Sequence, residues 1–159
     1  NENEISQIAK DNIEGQIVIS GHIKSINNIL NASTKEGFKA IRLKVSGPFH
    51  SDLMKNAEKP MLEALNQTLI KTPEVPTISN VSAKVTSDTE IIKDSLVKQL
   101  YQNVRWRETL HLMDSLGIEE IVEVGPNKVL TNLAKRSPIK FKLKTISTLK
   151  ELHDFLAKE

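Results

Sequence analysis

The 159-residue chain contains no cysteine, which removes disulfides, thiolate nucleophiles and thiolate metal ligands at once and fits a reducing compartment. Aromatic residues are scarce, at one tryptophan, one tyrosine and four phenylalanines, so any core has to be aliphatic. No apolar run approaches the ~20 residues of a membrane span. The opening NENEISQIAKDN has neither the basic flank nor the apolar stretch of a signal peptide. A soluble, cytoplasmic protein without membrane contact is the expectation. One-sided charge is missing too. With 22 basic against 20 acidic residues the net charge is +2, without the basic asymmetry that nucleic-acid binders use to meet phosphate.

What the chain does have is an aliphatic content spread in alternating patterns. QIVIS (16–20) is β-branched and stops at Gly21. The following stretch spaces Ile23, Ile26, Ile29 and Leu30 as a helix ending at Gly37. FKAIRLKVS (38–46) alternates well enough for a strand closed by Gly47-Pro48, which would complete a β-α-β unit. Beyond it, Leu53, Met54, Ala57, Met61, Leu62, Leu65 and Leu69 mark one face of a long helix over 51–69, kinked at Pro60. The remainder predicts an extended segment at 75–85, helices at 89–101 and 105–117, a strand at 119–125, a helix at 127–136, a strand at 142–147 and a helix at 149–158. The class is α/β, with its likeliest internal boundary at Ser46–Pro48.

Chemistry narrows to the four histidines, His22, His50, His111 and His153. His111 and His153 lie in amphipathic helices with no metal-ligand spacing such as HExxH, and read as packing or surface residues. His22 reads as a helix-entry residue. His50 stands at a strand-to-helix corner after Gly-Pro, where α/β proteins place site residues. From position alone an ordinary loop histidine is the better reading. Imidazole titrates near neutrality and can serve as a general base, but a base needs a nucleophile.

Four stretches in order, VSGPFHSDLM (45–54), VPTISNVSAKV (75–85), LVKQLYQNVRW (96–106) and IVEVGPNKVLTNLAKR (121–136), resemble the C-terminal half of bacterial malonyl-CoA:acyl carrier protein transacylases and related synthase acyltransferase domains. GQIVISG (15–21) extends the match. The resemblance implies that residues 1–46 form the C-terminal part of a small ferredoxin-like subdomain and 47–159 that of a large α/β-hydrolase-like subdomain. It implies that His50 is the base of a Ser-His dyad and that the main-chain carbonyl of Gln99 orients its ring. Phe49, beside the histidine, suits a malonyl-sized pocket, with plain packing as the lesser alternative. Asn12 belongs to a substrate-contacting run from which Asp11, Ile13 and Glu14 depart, and Asn127 stands where glycine is commoner.

The family's serine sits in a Gly-x-Ser-x-Gly turn, and no such motif occurs in these residues. The resemblance therefore implies a partial chain, holding the base, lacking the nucleophile and needing the N-terminal half of the enzyme as its partner. The implied reaction is ping-pong transfer from malonyl-CoA to the phosphopantetheine thiol of acyl carrier protein, with no metal and no resident cofactor. Acyl carrier protein is acidic, and Lys128, Lys135, Arg136, Lys140, Lys142 and Lys144 form the densest basic stretch, with Lys135 and Arg136 at its centre; solvated lysines explain it as well. An acyltransferase of polyketide assembly, or a non-catalytic interaction module on the same fold, remains an alternative reading.

Overall fold

The computed structural model describes residues 4–157. Within these residues seven strands and six α-helices form a mixed α/β arrangement. The first strand, β1 (Ser6–Ile13), lies antiparallel to β2 (Gln16–Gly21) and parallel to a two-residue strand, β5 (Val104–Arg105). The sheet order is thus β2-β1-β5. Sequence reading places no strand at 6–13, because the Lys10-Asp11-Asn12 run interrupts the apolar alternation. The structure makes a strand of that run although Asn12 is buried: β1 carries register shifts between Ile8 and Lys10 and between Asp11 and Ile13, and pairing with β2 and β5 takes up its backbone hydrogen bonds.

Helix α1 (Ile23–Lys35) follows β2, with His22 at its N-cap position. The backbone N–H of Ile5 donates to His22 Nδ1 at 2.9 Å, a helix-entry role that agrees with its place in the sequence. Gly21 has a steric reason to be glycine: a Cβ there would lie 2.2 Å from the carbonyl oxygen of Ile5.

Residues 38–46 depart from expectation. They form no strand, and Phe38, Ile41, Leu43 and Val45 are exposed. A strand needs a neighbour to take up its backbone hydrogen bonds, and none lies alongside among the described residues, so the alternating pattern stays unpaired and no β-α-β unit is completed by position 46. The long helix also divides. Asp52–Ala57 winds as a 3-10 turn, and only Glu58–Asn66 is α-helical (α2). Pro60 breaks nothing there. It is the third residue of α2, within the first turn, where a missing N–H costs no intrahelical bond.

The segment expected to be extended at 75–85 becomes two two-residue strands, β3 (Thr77–Ile78) and β4 (Val85–Thr86), paired antiparallel. The chain reverses between them at Ala83, whose φ is +49°. Helix α3 (Thr89–Lys98) is capped by the Asp88 carboxylate, which accepts from the N–H groups of Glu90 and Ile91. It ends at Lys98 rather than at Tyr101, and Gln99 is its C-cap residue. Helix α4 (Trp106–Ser115), strand β6 (Glu120–Val124), helix α5 (Val129–Arg136), strand β7 (Lys142–Ile146) and helix α6 (Leu149–Leu156) fall within a few residues of their predicted ranges. Lys158, at the end of the last predicted helix, lies outside the described residues. Strands β6 and β7 are parallel and in register from Glu120–Lys142 to Val124–Ile146, with α5 as the crossover that parallel pairing requires.

The core lies where α4 and α5 meet the end of β1, built from Ile13, Trp106, Leu110, Leu133 and Ala134 with Ile121, Phe141 and Leu143 against it. Outside this core, Asp11 on β1 receives Arg107 of α4 in a two-pronged ion pair, with nitrogen-to-oxygen distances of 2.7–3.1 Å. The bond fastens the hairpin to the helix that carries the core. His111, one turn further along α4, stands 3.5 Å from Glu14, consistent with its reading as a surface histidine.

Candidate active site

Two consecutive carbonyls at the C-terminal end of α3 organise the site. The last carbonyls of a helix lack intrahelical partners. Here that of Gln99 lies 2.9 Å from His50 Nδ1, while that of Leu100 accepts the His50 backbone N–H at 3.0 Å. A carbonyl oxygen can only accept, so Nδ1 carries the hydrogen, and in the neutral ring Nε2 is left with its lone pair. The sequence placed these residues 49 positions apart, and the fold brings them together.

The corner holding the ring is bent hard. His50 adopts φ +60°, a left-handed conformation that costs any residue with a Cβ and persists only where surrounding contacts enforce it. Several do. Ser51 is wholly buried and its hydroxyl donates to the Pro48 carbonyl at 2.7 Å. The Asp52 N–H donates to Gln7 Oε1 of β1 at 2.6 Å.

Beside the imidazole opens a cleft of about 270 Å³ lined by Gln7, Ile8, His50, Asp52, Tyr101, Gln102 and Asn103. Burial is the main influence on His50 and holds its pKa below the ordinary histidine value, with the positive charge of Lys10 acting in the same sense. The Gln99 carbonyl and, more weakly, the backbone of Gln102 oppose this by favouring the charged ring. The net effect is a neutral imidazole near neutrality, which can take a proton. Tyr101 does not compete: burial and the Glu58 carboxylate, to which its hydroxyl donates at 3.1 Å, raise its pKa and keep it protonated.

The other residues singled out from the sequence lie elsewhere. Phe49 is partly exposed, and its ring packs toward Gly47, where an added Cβ would sit 3.4 Å from it. It does not line the cleft. Asn12 is buried in the bulged part of β1 and does not line the cleft either. Lys135 and Arg136 close α5 and do not line the cleft beside His50. Lys135 borders a second hollow of about 470 Å³, together with Lys128, Lys144 and the side chains of Phe141 and Leu143. The basic stretch is partly neutralised there, since Lys142 pairs with Glu119 at 3.1 Å and Lys144 with Glu120 at 2.8 Å. Among the described residues no group of three or more acidic or histidine side chains is arranged to hold a metal ion. Among the described residues no helix is long and apolar enough to cross a membrane.

Sequence reading missed Gln7, Lys10, Asp52, Gln102 and Asn103. Gln102 and Asn103 directly follow the QLY stretch and were within reach of it. Gln7 and Lys10 carried no signal, because β1 itself was invisible.

A histidine held by helix-end carbonyls at the rim of a cleft, on a mixed α/β frame, is an arrangement suited to proton transfer during group transfer. Comparison with known proteins identifies the family. Residues 6–149 match the acyl transferase domain model, and the chain belongs to that family. It is 43% identical over 147 residues to the malonyl CoA-acyl carrier protein transacylase of Bacillus subtilis, covering 92% of this chain and 46% of that protein. It superposes on the crystal structure of FabD from Acinetobacter baumannii with a TM-score of 0.89 and 38% identity, over 99% of this chain and 50% of the other. It also superposes on a malonyl-transacylase solved in complex with a type II polyketide acyl-carrier protein (TM-score 0.91, 31% identity, 99% of this chain and 52% of that one). The chain spans about half the length of the curated relatives it matches.

Proposed function

We propose that this chain supplies the histidine of a Ser-His acyltransferase that moves a malonyl group from malonyl-CoA to the phosphopantetheine thiol of acyl carrier protein. The observation that carries the reading is the 2.9 Å approach of the Gln99 carbonyl to His50 Nδ1 at the edge of a cleft. In this reaction His50 Nε2 takes the proton of a serine hydroxyl as the oxygen attacks the malonyl thioester. Backbone N–H groups hold the oxyanion, and the CoA sulfur leaves with the proton returned from the imidazolium. The carrier-protein thiol then attacks the acyl-serine, His50 again accepting and returning one proton. Gln99 holds the ring in the tautomer both halves need, the part a carboxylate plays in a full triad. The reaction needs no metal and no resident cofactor.

The serine would come from a segment preceding these residues in a full-length enzyme. Within that enzyme residues 1–46 belong to a small ferredoxin-like subdomain and 47–159 to the large hydrolase-like one. By the resemblance, Phe49 and Asn12 would meet substrate outside the cleft beside His50, which neither lines, and Lys135 and Arg136 receive acyl carrier protein. The hollow bordered by Lys128, Lys135 and Lys144 supports the last assignment, as does the existence of a carrier-protein complex among the relatives. The setting is cytoplasmic fatty acid synthesis; the same relative supports polyketide synthesis as the second reading.

The test is direct: a full-length protein containing this chain, incubated with malonyl-CoA and the phosphopantetheine form of acyl carrier protein, should yield malonyl-carrier protein by mass spectrometry. Failure with every carrier protein of fatty acid and polyketide synthesis would overturn the proposal. Two subsidiary results are expected. Because the His50 pKa is lowered, kcat/KM should stay on its plateau at pH 7 and fall only as pH drops through a value below the ordinary histidine pKa, where the imidazolium can no longer accept a proton. An inflection above pH 7 would contradict this. Gln99→Ala keeps the main-chain acceptor and should lower turnover by no more than about threefold. Gln99→Pro, which removes the N–H donated to Ser95 at 2.9 Å and disturbs the helix end, should cost far more. Equal loss in both variants would show that the Gln99 side chain itself is the working group.

A further inference from the structure

The left-handed backbone of His50 is held from three directions. Leu100 accepts its N–H, the Ser51 hydroxyl ties back to Pro48, and Gln7 accepts the N–H of Asp52 at 2.6 Å. The first two holds come from the helix end behind the ring and from the corner itself. Gln7 alone among the three reaches the corner from the sheet, across 45 positions of sequence. Its own strand is immobilised in turn: β1 pairs with both β2 and β5, and Asp11 on it is clamped by Arg107. The bond therefore connects the most firmly anchored strand near the site to the residue two places beyond the imidazole. The N–H it satisfies opens the 3-10 turn at Asp52–Ala57, and such an opening N–H has no partner within the turn.

We infer that Gln7 is a positioning residue for His50: its amide oxygen fixes the Asp52 backbone, and so the angle at which the imidazole meets the cleft that Gln7 also lines. This rests on the proposed role of His50 as the base. Without the acceptor the Asp52 N–H turns to water from the adjoining cleft and the left-handed corner relaxes, so that the ring reaches its reactive orientation in a smaller share of encounters. Binding of malonyl-CoA does not depend on that orientation, and the loss falls on kcat.

The test uses a full-length transacylase carrying these residues, with Gln7→Leu, Gln7→Glu and His50→Ala assayed on the alkaline plateau, where the imidazole is neutral in every variant. Gln7→Leu should lower kcat roughly tenfold with KM for malonyl-CoA changed by less than about twofold, as expected for one lost hydrogen bond at a positioning group. Gln7→Glu keeps an acceptor oxygen at the same reach and should recover kcat to within about threefold of wild type. A Gln7→Leu enzyme with wild-type kcat, or a Gln7→Glu enzyme as slow as Gln7→Leu, overturns the inference. Should Gln7→Leu fail to fold, amide hydrogen exchange in the unaltered protein decides: slow exchange at Asp52 supports the bond, and exchange at the rate of an open loop overturns it. His50→Ala separates the two levels. If it is inactive while Gln7→Leu is normal, only the role of Gln7 falls; if it is fully active, the assignment of the base falls with it.

Discussion

Replacing His50 by alanine in a full-length enzyme containing this chain should reduce malonyl transfer by roughly 10²–10⁴-fold, the range general-base catalysis usually contributes, while the protein remains folded. The loss should be large because nothing beside the ring can take over its task. Tyr101, in the same cleft, is kept protonated by burial and by Glu58, and the Asp52 side chain is engaged by Lys55 at 3.1 Å. The fold should survive because the ring is only partly buried and outside the core built on Trp106, Leu110 and Leu133. Removing the side chain also relieves nothing structural: the His50 N–H to the Leu100 carbonyl and the Ser51 hydroxyl to Pro48 are unaffected by the substitution. Stopped-flow or discontinuous assay of malonyl-carrier protein formation measures the rate, and a thermal melt checks the fold. Turnover within tenfold of wild type in a folded variant would remove His50 from the mechanism.

Incubated alone with malonyl-CoA, the 159-residue chain should acquire no malonyl group. The argument is local. The serine adjacent to the imidazole, Ser51, is entirely buried and its hydroxyl already donates to the Pro48 carbonyl, so it can neither approach a thioester nor pass its proton to His50. No Gly-x-Ser-x-Gly turn exists among the 159 residues to expose another serine. A neutral imidazole by itself attacks a thioester slowly, and an acyl-imidazole hydrolyses without accumulating. Intact-mass measurement after incubation should therefore return the unmodified mass, and the carrier protein should stay unacylated. A stable malonyl adduct on any serine of this chain would show that these residues hold their own nucleophile, and the division of labour proposed above would be wrong.

Several parts of this molecule were legible in one dimension because the forces that make them are local. Helices α1, α4, α5 and α6 follow from apolar spacing and end signals within their own segments, as in Thr148 and Glu151, which cap α6 reciprocally. Strands β6 and β7 read from short β-branched runs beside turn residues. His50 drew attention by sitting after Gly-Pro, and the resemblance paired it with Gln99. Where the reading failed, the deciding partner was distant in sequence. Residues 38–46 have a strand's alternation, yet alternation describes only which side chains share a face, and without a neighbouring strand the backbone has nothing to bond. β1 shows the converse: polar Lys10, Asp11 and Asn12 hide the pattern, and pairing with β2 and β5 makes a strand of it regardless. Local chemistry thus determined most of the helices, the β6–β7 pair and the identity of the histidine. Only the tertiary structure decided the left-handed corner, the neutral state of the ring and the place of Gln7 beside it. Each of those depends on burial or on a bond spanning 45 to 49 positions, and the chain has to close on itself before either exists.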